Sequence, residues 1–209
     1  MADGTQTTPV LPPRPKVDAA LAAAREHPEV LGHLEHVARL AVLLFDELAP
    51  LHGLGDRERE LLCCAALLHD VGVSVRYKGH HKHSLRLILD NPLPGFSPDE
   101  MLLVANLARY HRKARPKAKH EHFQRLDEAD QETVRRLAAI LRLADGLDRA
   151  HEDAVEQVDA VRQSPVQWVI EVRGRGDLGY AVWAGERKAP LFEETFGAAV
   201  RFEPKGKPC

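Results

Sequence analysis

Apolar positions recur at helical spacing from Val17 to about Arg149. Val37, Leu40, Leu44 and Leu48 form one stripe; Leu61, Leu62, Ala65, Ala66 and Leu68 a second; Leu102, Leu103, Leu107 and Tyr110 a third; Val134, Leu137, Leu141 and Ala144 a fourth. This pattern predicts a helical bundle. Gly53 and Gly55 stop one helix, with Asp56 expected to cap the next, and Ser97-Pro98-Asp99-Glu100 combines an N-cap, a first-turn proline and acidic residues. Beyond residue 150 the period changes. Val155 to Val161, Val166 to Val172 and Leu178 to Trp183 read as strands, with Gly174-Arg175-Gly176-Asp177 as a hairpin turn. Glu186 to Phe196 reads as a short helix and Ala199 to Phe202 as a last strand. Residues 1–16, with Pro9, Pro12, Pro13 and Pro15, have no periodicity and are expected to stay disordered or to wrap the surface. The predicted fold is mainly α: a helical bundle over 17–152 followed by a small β-rich α+β subdomain over 153–209.

Composition narrows this only a little. With 209 residues, 44% of them hydrophobic, the chain can bury a core large enough for one sizeable domain and a small one. A formal net charge of −2 gives no global basic footprint of the kind expected of a nucleic-acid binder, so any preference for anions is local. Cys63, Cys64 and Cys209 make neither an even-numbered disulfide framework nor a CxxC pair, and Cys63-Cys64 sits among apolar neighbours as core packing. A reducing, cytoplasmic setting is the expectation. No signal-peptide pattern and no apolar run near the roughly 20 residues of a membrane span are present.

The candidate chemistry lies on the buried stripes. His33 is in line with Val37, Leu40 and Leu44; His69 follows Ala65 and Ala66 and is itself followed by Asp70; Asp145 is four residues after Leu141 and eight after Leu137. His36, one turn from His33, competes for the same side. An unpaired buried carboxylate costs several kcal/mol or takes up a proton, so inward-facing His and Asp call for a compensating charge. A divalent cation supplies it. The mixed nitrogen and oxygen set admits Mn, Fe, Ni, Co, Zn or Mg and singles out none. Between Arg109 and Lys119 stand six Lys or Arg residues, readable either as a solvated loop or as a collector of polyanions. Stacking aromatics are scarce there, which favours phosphorylated small molecules or polyphosphate over nucleic acid.

The order His33, His69-Asp70, Asp145 resembles the HD superfamily of metal-dependent phosphohydrolases, helical bundles with a central metal. The blocks HLEHVARLAVLLFDELAPLHGL (33–54), AALLHDVGVSVRYKGHHKHSLRLIL (65–89), LPGFS (93–97), ARYHRKARPK (108–117), LRLADGLDRAH (141–151) and KAPLFEETFG (188–197) resemble the C-terminal HD-like region of the exopolyphosphatase and guanosine-pentaphosphate phosphatases, the Ppx/GppA family. In that family hydrolysis belongs to actin-like domains with a glycine-rich phosphate loop. Neither feature is found in these 209 residues, so the resemblance implies the accessory half.

What the resemblance implies can be carried residue by residue. His33, His69, Asp70 and Asp145 match the four HD ligands, and the alignment favours His33 over His36. Comparison with the related HD-GYP type places His83 and His111 at a second metal, bridged to the first by Asp70, although Arg112 stands where that type has another histidine. Val73 stands where some relatives carry a lysine or a glutamate that holds phosphate or assists proton transfer, so that function has to come from elsewhere or is absent. The implied mechanism is attack by metal-activated water on a phosphate ester or anhydride. Asp70 and Asp148 are its candidate catalytic carboxylates, Asp148 either orienting a ligand histidine or accepting a proton. Lys78, Lys82, Arg109, Arg112, Lys113 and Arg149 are its candidate phosphate contacts. For Asp148-Arg149 a helix-end salt bridge weighs equally. A non-catalytic module that senses polyphosphate or a nucleotide, or docks on a separately encoded phosphatase, is the alternative, and the exposed strand edges of the tail leave a homodimer open.

Overall fold

The computed structural model describes residues 15–206. Its elements run α1 (Pro15–Ala24), α2 (Leu31–Glu47), α3 (Ala49–His52), α4 (Asp56–Leu68), a 3₁₀ turn (Val71–Ser74), α5 (His80–Asp90), α6 (Pro98–Tyr110), α7 (Glu128–Leu147), β1 (Val155–Ser164), β2 (Gln167–Gly174), α8 (Gly179–Glu186), α9 (Ala189–Phe196) and β3 (Ala199–Pro204). The expected arm loses its last two residues to α1, since Pro15 suits a first helical turn and Lys16 pairs with Glu100 of α6. Residues 1–14 of that arm, and Cys209, lie outside the described residues.

Helix α7 is the axis of the bundle. Every residue from Leu137 to Leu147 is buried, so this helix is enclosed on all sides rather than amphipathic at its C-terminal half. It packs against α2, α6, α8 and α9, while α4 packs against α1, α2 and α6. Ser97 caps α6 in a reciprocal box with Glu100, as its sequence predicts. For α4 the cap is one residue earlier than expected: Gly55 is the N-cap and its N–H donates to Glu58 Oε2 at 3.0 Å, leaving Asp56 in the first turn.

The tail departs further from expectation. Leu178 to Trp183 is helical rather than extended. The buried positions are Leu178, Ala181, Ala184 and Gly185, a spacing of three to four, whereas Tyr180 and Trp183 are exposed. The hairpin therefore turns at Pro165-Val166, joining antiparallel β1 and β2, and Gly174 to Asp177 instead leads from β2 into α8. Strand β3 returns parallel to β2 after α8 and α9, giving the order β1-β2-β3. One apolar cluster runs from Val17 through α7 to Trp168, Ile170, Val200 and Phe202, so bundle and tail share a core across residue 152. Among the described residues no helix is long and apolar enough to cross a membrane.

Candidate metal centre

Six buried side chains converge where five helices begin or end. His33 is in the first turn of α2, His69 and Asp70 follow α4, His80 opens α5, His111 follows α6, and Asp145 lies near the end of α7. Each histidine has its Nδ1 tied. His69 donates to the Ala66 carbonyl at 2.7 Å, His111 to that of Ala108 at 2.7 Å and His80 to that of Tyr77 at 3.0 Å. His33 donates to Asp148 Oδ2 at 2.7 Å. For His69 and His111 this also satisfies a carbonyl left over at a helix C-terminus. A carbonyl only accepts, so Nδ1 holds the proton and Nε2 presents its lone pair to the centre.

The Nε2 atoms face carboxylates at short range. His33 Nε2 is 3.6 Å and His69 Nε2 3.9 Å from Asp145 Oδ1; His80 Nε2 is 3.1 Å and His111 Nε2 3.3 Å from Asp70 Oδ1. With metal bonds of about 2.0–2.2 Å, neighbouring ligand atoms lie roughly 3–3.5 Å apart, so the set is close to coordination spacing. Two groups form, His33/His69/Asp70 and Asp70/His80/His111, with Asp70 in both. In the first group His33 Nε2, His69 Nε2 and Asp70 Oδ1 are buried without a hydrogen-bond partner. Each such atom costs about 1–3 kcal/mol unless something fills the space between them. The donor chemistry and the spacing of the first group fit a divalent cation. The second group is already engaged: His80 Nε2 accepts from Arg112 at 3.0 Å and lies 3.3 Å from His111 Nε2.

The charges are strongly coupled. Burial works against charge on His33, yet the adjoining carboxylates of Asp145 and Asp148 push its pKa up to about 9, so its Nε2 proton has to leave before that atom can hold a cation. Burial lowers His69 and His111, which stay neutral. Burial alone would raise the Asp145 carboxyl. The Lys188 ammonium, and after it His33, hold Asp145 well below the ordinary carboxylate range. The Lys188 ammonium donates to Asp145 Oδ2.

Of the six ligand candidates the structure brings five together and sets His83 apart. His83 is half-buried and lines a different cleft, and His80 takes the place beside Asp70. The sequence carried the signal: the buried stripe of α5 is His80, His81, Ser84, Leu85 and Ile88, which excludes His83. His36 is also buried but turns toward β1, with Arg39 Nη2 at 2.9 Å from its Nδ1 and Asp153 nearby. Asp148 is engaged by His33 and by the Asp153 N–H, so it sits as an orienting group. No local pattern announced Lys188, nor His151, whose ring stacks on His33 at 3.8 Å.

Two basic clefts divide the predicted phosphate contacts, and the first borders the cluster. One, of about 400 Å³, is lined by Arg112, Lys113, Arg115, Arg149, Arg187 and Lys188 and has no acidic residue in its lining. Arg112 and Lys188 link it to the cluster through His80 and Asp145. The other, of about 580 Å³, holds Lys78, Lys82, Arg109 and again Lys113, beside His81 and His83. Arg142 fixes the loop between them, donating from Nε to the Tyr110 carbonyl at 2.7 Å and from Nη2 to that of Ala114 at 2.6 Å.

Residues 24–173 match the family described as Ppx/GppA phosphatase, domain III. A guanosine-5'-triphosphate,3'-diphosphate pyrophosphatase of Aeromonas hydrophila subsp. hydrophila is 34% identical over 113 residues, 54% of this chain and 22% of that relative. The chain thus spans about a fifth of the length of that curated relative. By the extent of the family match, the chain belongs to the Ppx/GppA phosphatase domain III family.

Proposed function

We propose that this protein is an HD-type, metal-dependent phosphohydrolase that cleaves a phosphate ester or anhydride of a nucleotide or polyphosphate-like substrate. What supports the reading is the convergence of unpartnered Nε2 atoms, each with its Nδ1 anchored, on Asp70 and Asp145 at the edge of a purely basic cleft. His33, His69, Asp70 and Asp145 would hold the cation, and Asp70, His80 and His111 form the weaker second position. When bound, such a cation supplies Lewis acidity toward a phosphoryl oxygen and toward the attacking water. Asp148 keeps the His33 ring in its tautomer and orientation. Arg112, Lys113 and Arg149 receive the substrate's oxyanions in the basic cleft. The name of the Aeromonas relative, a pyrophosphatase of a guanine nucleotide, agrees with a phosphoanhydride substrate.

A second reading has its own observation. Lys188 already sits on Asp145 and Arg112 on His80, so part of the cluster is neutralised by the protein itself. A module that binds polyphosphate or a nucleotide without cleaving it, alone or docked on a separate phosphatase, is consistent with that. Metal analysis of the purified protein combined with a screen against pyrophosphate, nucleotides and short polyphosphates separates the two. The enzyme reading expects stoichiometric metal and turnover that disappears in Asp70→Ala. Metal-free protein that binds polyphosphate tightly without turnover contradicts it.

A further inference from the structure

We infer that Lys188 is a substrate-binding residue of the metal site, and that the α8–α9 unit completes the site by delivering it. The inference rests on the reading of the cluster as a phosphohydrolase centre. Asp145 divides its two oxygens. Oδ1 faces the Nε2 atoms of His33 and His69, and Oδ2 accepts from the Lys188 ammonium. An ammonium has three N–H donors, so one contact with Asp145 leaves others for an oxyanion, and Lys188 also lines the basic cleft. This lysine therefore stands on both the carboxylate of the cluster and the space where a phosphoryl group would enter.

The backbone is arranged to bring it there. Lys188 lies in the turn between α8 and α9, and both helices pack on α7. Gly146, next to Asp145, meets that turn so closely that a Cβ there would lie 3.0 Å from the Ala184 oxygen, the Gly185 Cα and the Lys188 Cγ. Across the same contact a Cβ on Gly185 would press on Leu147 and Phe202 at 3.3 Å. Two facing glycines thus let α8 approach the end of α7 and let the lysine stem pass over Gly146 to Asp145.

The test is calorimetric titration of full-length wild type, Lys188→Met and Lys188→Arg with pyrophosphate, with and without Mn²⁺, alongside titration with Mn²⁺ alone. Loss of one charge-assisted hydrogen bond predicts pyrophosphate binding about tenfold or more weaker in Lys188→Met in both conditions. Lys188→Arg retains most of the affinity, and Mn²⁺ binding changes less than pyrophosphate binding. Pyrophosphate affinity equal to wild type in Lys188→Met overturns the inference. So does a parallel loss of Mn²⁺ affinity, pyrophosphate affinity and melting temperature, the mark of a merely structural contact. Wild type that fails to bind Mn²⁺ refutes the metal-centre reading, while the metal-free pyrophosphate titration still decides the role of Lys188.

Discussion

Replacing Gly72 by alanine tests how the 3₁₀ turn after Asp70 sets the position of α5. Gly72 has no left-handed φ, so alanine meets no backbone penalty there. The obstacle is space. A Cβ at Gly72 would lie 2.3 Å from the His80 oxygen, 2.3 Å from the Ser84 nitrogen and 2.8 Å from the His83 carbonyl carbon. Ordinary contact needs more than an ångström of extra room, and backbone atoms of a packed helix cannot rotate away. Overpacking of this kind costs about 1–3 kcal/mol and occasionally more. Moving α5 also strains the buried bond from Gly72 N–H to Ser84 Oγ, 2.9 Å long, and leaving that donor unpaired costs about another 1–3 kcal/mol. The expected loss is about 2–6 kcal/mol, or roughly 4–24 °C in melting temperature for a chain of this size. Urea and thermal unfolding followed by circular dichroism give the number. Because α5 carries His80, the same variant should weaken any cation site that uses the Asp70/His80/His111 group more than one that uses His33, His69 and Asp70. A destabilisation below about 1 kcal/mol would refute the close contact on which this reasoning stands.

Three further outcomes are expected. Asp148→Ala removes the acceptor for His33 Nδ1 and should weaken divalent metal binding about 10–100-fold, while Asp148→Asn, whose amide oxygen still accepts, loses less; equal affinity for all three by calorimetry would contradict the orienting role. Burial pushes the Cys63 thiol up to about 12 and raises Cys64 as well, so in a Cys209→Ser background neither should react with iodoacetamide at pH 8 faster than the protein unfolds. The sign follows by linkage: the unfolded thiols ionise near about 8.5 and the folded ones hold their protons, so this contribution to stability is full below that pH and falls as pH rises toward 12. Arg142→Leu severs the bonds to the Tyr110 and Ala114 carbonyls and should cost about 2–4 kcal/mol, with faster amide exchange confined to residues 109–116; protection unchanged there would show that the loop does not depend on this arginine.

The bundle is legible because its helices obey a single rule, apolar stripes at three and four, and the candidate ligands His33, His69 and Asp145 lie on those stripes. His80 obeys the same rule on α5, whereas His83, the position implied by the family resemblance, lies off that stripe. Residues 178–183 read as a strand because they are an apolar, β-branched and aromatic run, yet Tyr180 and Trp183, three apart and stacked at 5.5 Å, share the exposed side of a helix. Lys188 had no signal of its own. Its position depends on a contact between the ends of α7 and α8, some 40 residues apart in sequence, which only the shared core creates. The basic residues were recognisable as anion contacts, but their division between two clefts depends on the path of the loop that Arg142 holds.

Anomalous diffraction from crystals grown with Mn²⁺, with metal analysis of the same protein, tests the central claim most directly. The account predicts one stoichiometric ion among His33 Nε2, His69 Nε2, Asp70 and Asp145, absent from folded His69→Ala. A protein that takes up no divalent ion there, with its Nε2 atoms occupied only by water, would contradict it.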